Sequence, residues 1–155
     1  MPEPAFHMEG VSGFNESIDA LIESVQMATR RGLAKAGLLV EANARASFGP
    51  AHAKGTPKTS EKPQSVSGTL RRTTRLIGVE KIGATTWQAK VAPTQPYGRR
   101  IELGFNPMDG HQGGVDSLGR QYNQPAYPFL RPGLKKAEPY FVPIMMEAWG
   151  AALGL

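Results

Sequence analysis

The chain has 155 residues, 40% of them hydrophobic, with 18 glycines and 13 prolines; this fits a single domain with a modest core and long connections. It has no cysteine, which excludes a disulfide framework and thiolate metal sites, and no apolar run near the roughly 20 residues that span a bilayer. The formal net charge of +5 is unevenly placed: residues 1–48 hold four bases and six acids, and residues 49–82 hold seven bases and two acids. A concentrated basic stretch suits a solvated loop, nucleic acid phosphates or an acidic protein surface. The opening "MPEPAFHMEG" has no basic segment followed by an apolar one, so no signal peptide is read there and synthesis in the cytosol is expected.

Residues 5–9 form one short expected strand, and Gly10 and Gly13 punctuate a turn. Asn15 is then the expected N-cap of a long helix. Ile18, Leu21, Ile22, Val25, Ala28, Leu33, Ala36, Leu39, Val40 and Ala44 recur at threes and fours, which is one helical stripe running to about Phe48. Gly32 and Gly37 weaken it by about 1 kcal/mol each relative to alanine, so a break or bend is expected near "TRRG". Gly49-Pro50 ends it. Residues 49–66 have no hydrophobic period and read as a mobile loop.

Order resumes with a short helical turn from Ser67 that presents Leu70 to the core. Two strands of a hairpin follow. One covers Thr74–Ile82, with Leu76, Val79 and Ile82 apolar and the alternation imperfect enough to imply a bulge or two-sided burial. The other covers Thr86–Ala92, where Trp87, Ala89 and Val91 alternate with Gln88 and Lys90. "PYGRRIELGF" (96–105) reads as a short helix ended by Gly104, with Tyr97, Ile101 and Leu103 as its buried side. Residues 106–124 are a second Gly-rich, mobile excursion. A second helical stripe follows over 129–153: Leu130, Leu134, Ala137, Phe141, Ile144, Met145, Ala148 and Ala152. Pro139 and Pro143 interrupt it, so a kink or two pieces meeting near 138–143 is expected. Two stripes and one hairpin make an α+β fold: a small antiparallel sheet packed against a long N-terminal and a C-terminal helix, in one domain over 1–155.

Chemistry-bearing patterns are sparse. His7, His52 and His111 stand in no metal-binding spacing. Ser17, Ser60, Ser65 and Ser67 lack a GxSxG setting, and "GHQGG" (110–114) neither follows a strand nor opens a helix. Asp109 and Asp116 have no partner at a defined spacing, which leaves a hydrolase built on His111 and Asp116 as a remote option. No cofactor or metal motif is found. Bases and aromatics do not interleave into a stacking platform, and Arg71-Arg72 and Arg99-Arg100 are the best phosphate candidates. Small core, long loops and charge in arms suit a non-enzymatic assembly subunit. A small basic DNA-binding protein using residues 54–75 is the rival.

Four stretches carry a resemblance. "SGTLRRT" (67–73) is similar to a small-residue, Gly, any, Leu, Arg step before a hairpin. "PYGRRIELGF" is similar to a Tyr-Ala-x-x-apolar-Glu-apolar-Gly step. "PFLRPGL" (128–134) is similar to Pro-Phe-Leu-Arg-Pro-Ala-Leu, and "FHMEGVSGFNESI" (6–18) to a strand leading into a first helix. Taken in order, they resemble the small neck or tail-completion (head–tail joining) proteins of long-tailed bacteriophages. Gly133 departs from that pattern, standing where alanine is usual.

The resemblance implies a virion protein of the head–tail neck, assembled in the host cytoplasm. It implies a homo-oligomeric ring, sixfold by expectation, that contacts connector and tail proteins, with passing contact to DNA and none to membrane. A tail terminator ring is the neighbouring alternative. Gly68, Leu70, Arg71, Tyr97, Glu102, Gly104, Pro128, Phe129, Arg131 and Pro132 are the implied signature and interface positions. Gly68 and Gly104 suit positive φ, and Leu70, Tyr97 and Phe129 suit the core. Glu102, a carboxylate in an apolar helix, needs a partner if buried: Arg131 or a backbone donor. Pro128 and Pro132 rigidify the entry to the last helix.

Overall fold

A computed structural model describes residues 11–50, 67–104 and 125–155. The expected strand at 5–9, most of the two excursions, the basic residues at 54–62, all three histidines, and Asp109 and Asp116 lie outside the described residues.

Helix α1 spans Val11–Ala46. At 36 residues it is roughly 54 Å long, at 1.5 Å per residue. It is unbroken, contrary to the bend expected near "TRRG", and Gly13 and Asn15 lie inside it rather than before it. Neighbours explain the two mid-helix glycines. A Cβ at Gly32 would press on Met145 and Ala148, and one at Gly37 on the Leu76 side chain. The helix gives up some propensity there to let other elements approach closely.

Helix α2 (Thr69–Thr73) leads into strand β1 (Thr74–Lys81), which pairs antiparallel with β2 (Trp87–Pro93). At the turn the amides of Ile82 and Gly83 donate to the Thr86 carbonyl. The register slips between Leu76 and Gly78, which makes Ile77 the extra residue of a bulge, 53% exposed. Ile82, expected as the last residue of the strand, falls at the turn beyond β1 and is exposed.

The outer edge of β1 meets α1 instead of a third strand. The Leu76 amide donates to Glu41 at 2.7 Å, and Arg45 Nε donates to the Thr74 carbonyl at 2.9 Å. Glu41 and Arg45, one turn apart on α1, are themselves paired at 2.8 Å. Two side chains thus satisfy edge groups that would otherwise need a strand.

Helix α3 covers Gly98–Leu103. After it, α4 (Leu130–Ala137), a 3-10 turn (Glu138–Tyr140) and α5 (Phe141–Leu153) replace a single terminal helix. Pro139 sits in the 3-10 turn that separates α4 from α5. Pro143 falls in the first turn of α5, where its missing donor costs nothing. Both α4 and α5 pack along α1, which also supports the hairpin. Trp149 Nε1 donates to Thr29 Oγ1 at 2.9 Å, fixing α5 on α1.

The core lies at the C-terminal end of α1. Ala44, Phe48, Leu70 and Phe129 form it, with Ile101 and Leu130 packed against them. The Phe48 and Phe129 rings are 4.7 Å apart and tilted. At the other end, α1 projects past α5: Ser24 Oγ donates to the Ala152 carbonyl, and Phe14, Ile18, Leu21 and Ile22 beyond it are exposed.

Candidate functional site

Helix α3 has six residues, and its buried members are Gly98 and Glu102, one turn apart. Gly98 lies against Pro93 and Leu70 with no room for a side chain. This contact turns Glu102 inward. It corrects the expected burial of Tyr97 and Leu103, which are 41% and 48% exposed.

Glu102 is 7% exposed, and its carboxylate is fully engaged by backbone. Oε2 accepts from the Phe129 amide at 2.7 Å and the Leu130 amide at 2.9 Å, and Oε1 accepts from the Arg131 amide at 3.0 Å. The next residue, Pro132, has no amide hydrogen. The Gly133 amide then makes the first intrahelical bond, to the Phe129 carbonyl at 3.3 Å. A helix start leaves its first four amides without partners. Here one carboxylate takes three and a proline removes the fourth. The negative charge also sits at the positive end of the α4 dipole. A further bond, from the Tyr127 amide to the Ile101 carbonyl at 2.8 Å, ties the incoming chain to α3.

Of the two partners expected for Glu102, the backbone is the one used. Arg131 contributes only its amide; its side chain is exposed and lines a neighbouring groove. Gly68 (φ 70°) and Gly104 (φ 75°) both have positive φ. Leu70 is buried and Phe129 has no exposure, while Arg71 and Pro128 are exposed and Pro132 is half-buried. The structure therefore joins Leu70, Glu102 and Phe129, one from each of three similar stretches, at a single place. Tyr97, Arg71 and the Arg131 head group stay outside it.

Gly133 acquires a reason here. A Cβ on it would lie 2.6 Å from the Ala44 amide nitrogen and 2.7 Å from the Ala44 Cα. Those are backbone atoms that cannot move aside, so α4 crosses α1 at closest approach. Gly133→Ala is expected to destabilise this chain by about 2 kcal/mol despite better helix propensity. Thermal unfolding of the variant measures it, and an unchanged or raised Tm would contradict the close crossing.

Sequence reasoning missed an apolar groove of about 410 Å³ between α1, β2, α4 and α5. Leu33, Gly37, Val91, Leu134 and Met145 are among its lining residues, with Arg131 beside them. The groove exists because the hairpin and the terminal helices both lean on α1 without closing on each other, which no local pattern encodes. Among the described residues, no group of three or more His, Asp or Glu side chains is gathered in a way that would hold a metal ion. No protein-family model, no curated protein and no solved structure matches the chain.

Proposed function

We propose that the chain is a non-enzymatic subunit of a bacteriophage head–tail neck. In this reading it forms a ring that completes the tail or joins it to the head. One observation carries the reading: three of the four stretches that resemble the neck and tail-completion proteins, distant in sequence, meet in one core through Leu70, Glu102 and Phe129. The resemblance is thus a set of mutually dependent contacts rather than three unrelated short matches. The surface supports it. A small core, an α1 overhang with exposed apolar side chains, and a two-stranded sheet suit a subunit stabilised by neighbours.

The test is co-expression with the capsid, connector and tail-tube proteins encoded by flanking genes, followed by electron microscopy of the tails. The expected result is an annulus of this protein at one end of the tube. Failure to associate with tube or connector under any condition would sink the reading. Arg71, Arg72, Arg75 and Arg99 are exposed on adjacent elements, so the same preparation is titrated with duplex DNA. Tight binding that falls steeply with salt, in the absence of any tail association, would select the DNA-binding alternative instead.

A further inference from the structure

We propose that residues 5–9 of one copy of the chain add as a third strand to the outer edge of β2 in a second copy, with Phe6 and Met8 entering the apolar groove beside it. This names the contact between subunits in the ring reading above and rests on that reading for its setting.

The acceptor is an open strand edge. At the two ends of the hairpin the Ile82 amide donates to the Thr86 carbonyl and the Thr94 amide to the Thr73 carbonyl. Antiparallel bonding alternates along a strand, so Gln88, Lys90 and Ala92 are the β2 residues that bond to β1. Trp87, Ala89 and Val91 turn their N–H and C=O groups the other way. Among the described residues, no side chain or backbone group bonds to them there. The outer edge of β1, by contrast, is served by Glu41 and Arg45. Ala89 and Val91 also line the apolar groove, together with Leu33, Ala36, Gly37 and Val40 of α1. An open edge beside an apolar groove suits an extended peptide, whose backbone pairs with the edge while alternate side chains fill the groove. The open stretch at 87–91 is about 14 Å long, which matches five extended residues.

The donor is written in the sequence. Residues 5–9, "AFHME", form the strand expected ahead of α1, with Phe6 and Met8 on one face and His7 and Glu9 on the other. A strand alone is unstable and needs an edge to pair with. The other stretches outside the described residues lack this pattern. Neither 51–66 nor 105–124 has two large apolar residues at a spacing of two, and each carries proline.

Reach decides that the strand and the edge belong to different copies. The groove beside Ala89 and Val91 lies at residues 33–40 of α1. Leu33 is roughly 33 Å along the unbroken helix from Val11, at 1.5 Å per residue. Residue 5 stays within about 21 Å of Val11 even when the chain between them is fully extended. The α1 overhang therefore holds residues 5–9 clear of the groove in their own chain, and the free strand meets a free edge only in a second copy. Donor and acceptor surfaces differ, so the contact is heterologous. Repeated from copy to copy, it closes a ring or extends as a filament.

The absence of cysteine makes the test specific. His7→Cys and Lys90→Cys are prepared as separate single variants, checked for native circular dichroism, mixed, and treated with a short bis-maleimide. The expected product is a cross-linked pair containing one of each variant, in large excess over either variant alone. A chain carrying both cysteines should link into dimers and longer ladders rather than to itself. Adding Phe6→Ser and Met8→Ser to the first variant should reduce the yield at least about tenfold, through lost apolar burial. Adding Ala89→Pro to the second should do the same, because it removes an edge donor that β1 does not use. The serine pair stands outside the folded hairpin, so it decides the matter even where Ala89→Pro fails to fold. Linking within the doubly substituted chain, a link indifferent to the serine pair, or no link at millimolar protein would each overturn the proposal. Loss of the cross-link with rings still seen on tails removes this contact alone; an intact cross-link without tail association removes the neck reading and leaves the contact standing.

Discussion

Phe129→Ala is expected to lower the free energy of unfolding by about 4 kcal/mol, within the range for emptying a fully buried aromatic site. Phe129 has no exposure, meets the Phe48 ring at a tilt and is packed with Ala44, Leu70, Ile101 and Leu130. Collapse of the site would soften the loss, but the frame resists collapse. Gly133 already brings α4 to the backbone of α1 at Ala44, and Glu102 fixes the approach of the chain from the other side. The cavity would stay open. Set against a typical total of about 5–15 kcal/mol, the loss is a large fraction of the stability of the whole domain. Urea denaturation measures it as a lower midpoint with an unchanged slope. Phe129→Leu, which keeps most of the volume, should cost only about 1–1.5 kcal/mol. A change below about 1 kcal/mol for the alanine variant would place Phe129 outside the cooperative core.

Glu102→Ala is expected to cost about 3 kcal/mol. Hydrogen bonds to an ionised group contribute more than neutral ones, and three amides would lose their acceptor in a site that water reaches poorly. Glu102→Gln should fall between, at about 1–2 kcal/mol. Its single carbonyl can serve the Phe129 and Leu130 amides, but its NH2 would then oppose the Arg131 amide. Native-state hydrogen exchange distinguishes this from general weakening. The amides of Phe129, Leu130 and Arg131 should exchange faster in both variants under conditions where the α1 amides around Ala36–Ala44 stay protected. Unchanged exchange at those three positions would show that the carboxylate does not hold the helix start.

Much of the fold is legible from local pattern. The apolar stripes mark α1 and the terminal helical region, the alternation from Trp87 marks β2, and the irregular spacing after Thr74 marks the bulge. Proline chemistry places the interruption at 138–143. What local pattern could not supply is direction. Tyr97 and Leu103 look like core residues by hydropathy, yet the contact of Gly98 with Pro93 rotates α3 so that Glu102 points inward instead. Ile18, Leu21 and Ile22 belong to the same stripe as Ala28, and only the length of α5 decides which are covered. The demand of Glu102 for a partner was visible as a carboxylate among apolar neighbours. That the partner would be a run of amides required the fold. The role of Glu41 and Arg45 at the edge of β1 was missed, although an acid–base pair one turn apart beside an apolar stripe was there to be read.

The bonds from Tyr127 to Ile101 and from residues 129–131 to Glu102 have a consequence for how this architecture tolerates change. They act as a clasp at the neck of everything joining α3 to α4. Whatever length of chain lies between, its two ends meet the core at the same points, so insertions or deletions there leave Phe129 and the crossing at Gly133 in place. Lengthening a clasped connection carries only a logarithmic entropy cost, about 0.6 kcal/mol per doubling. Residues 105–124, which join the two clasped ends, are therefore where length and composition can change without renegotiating the interior.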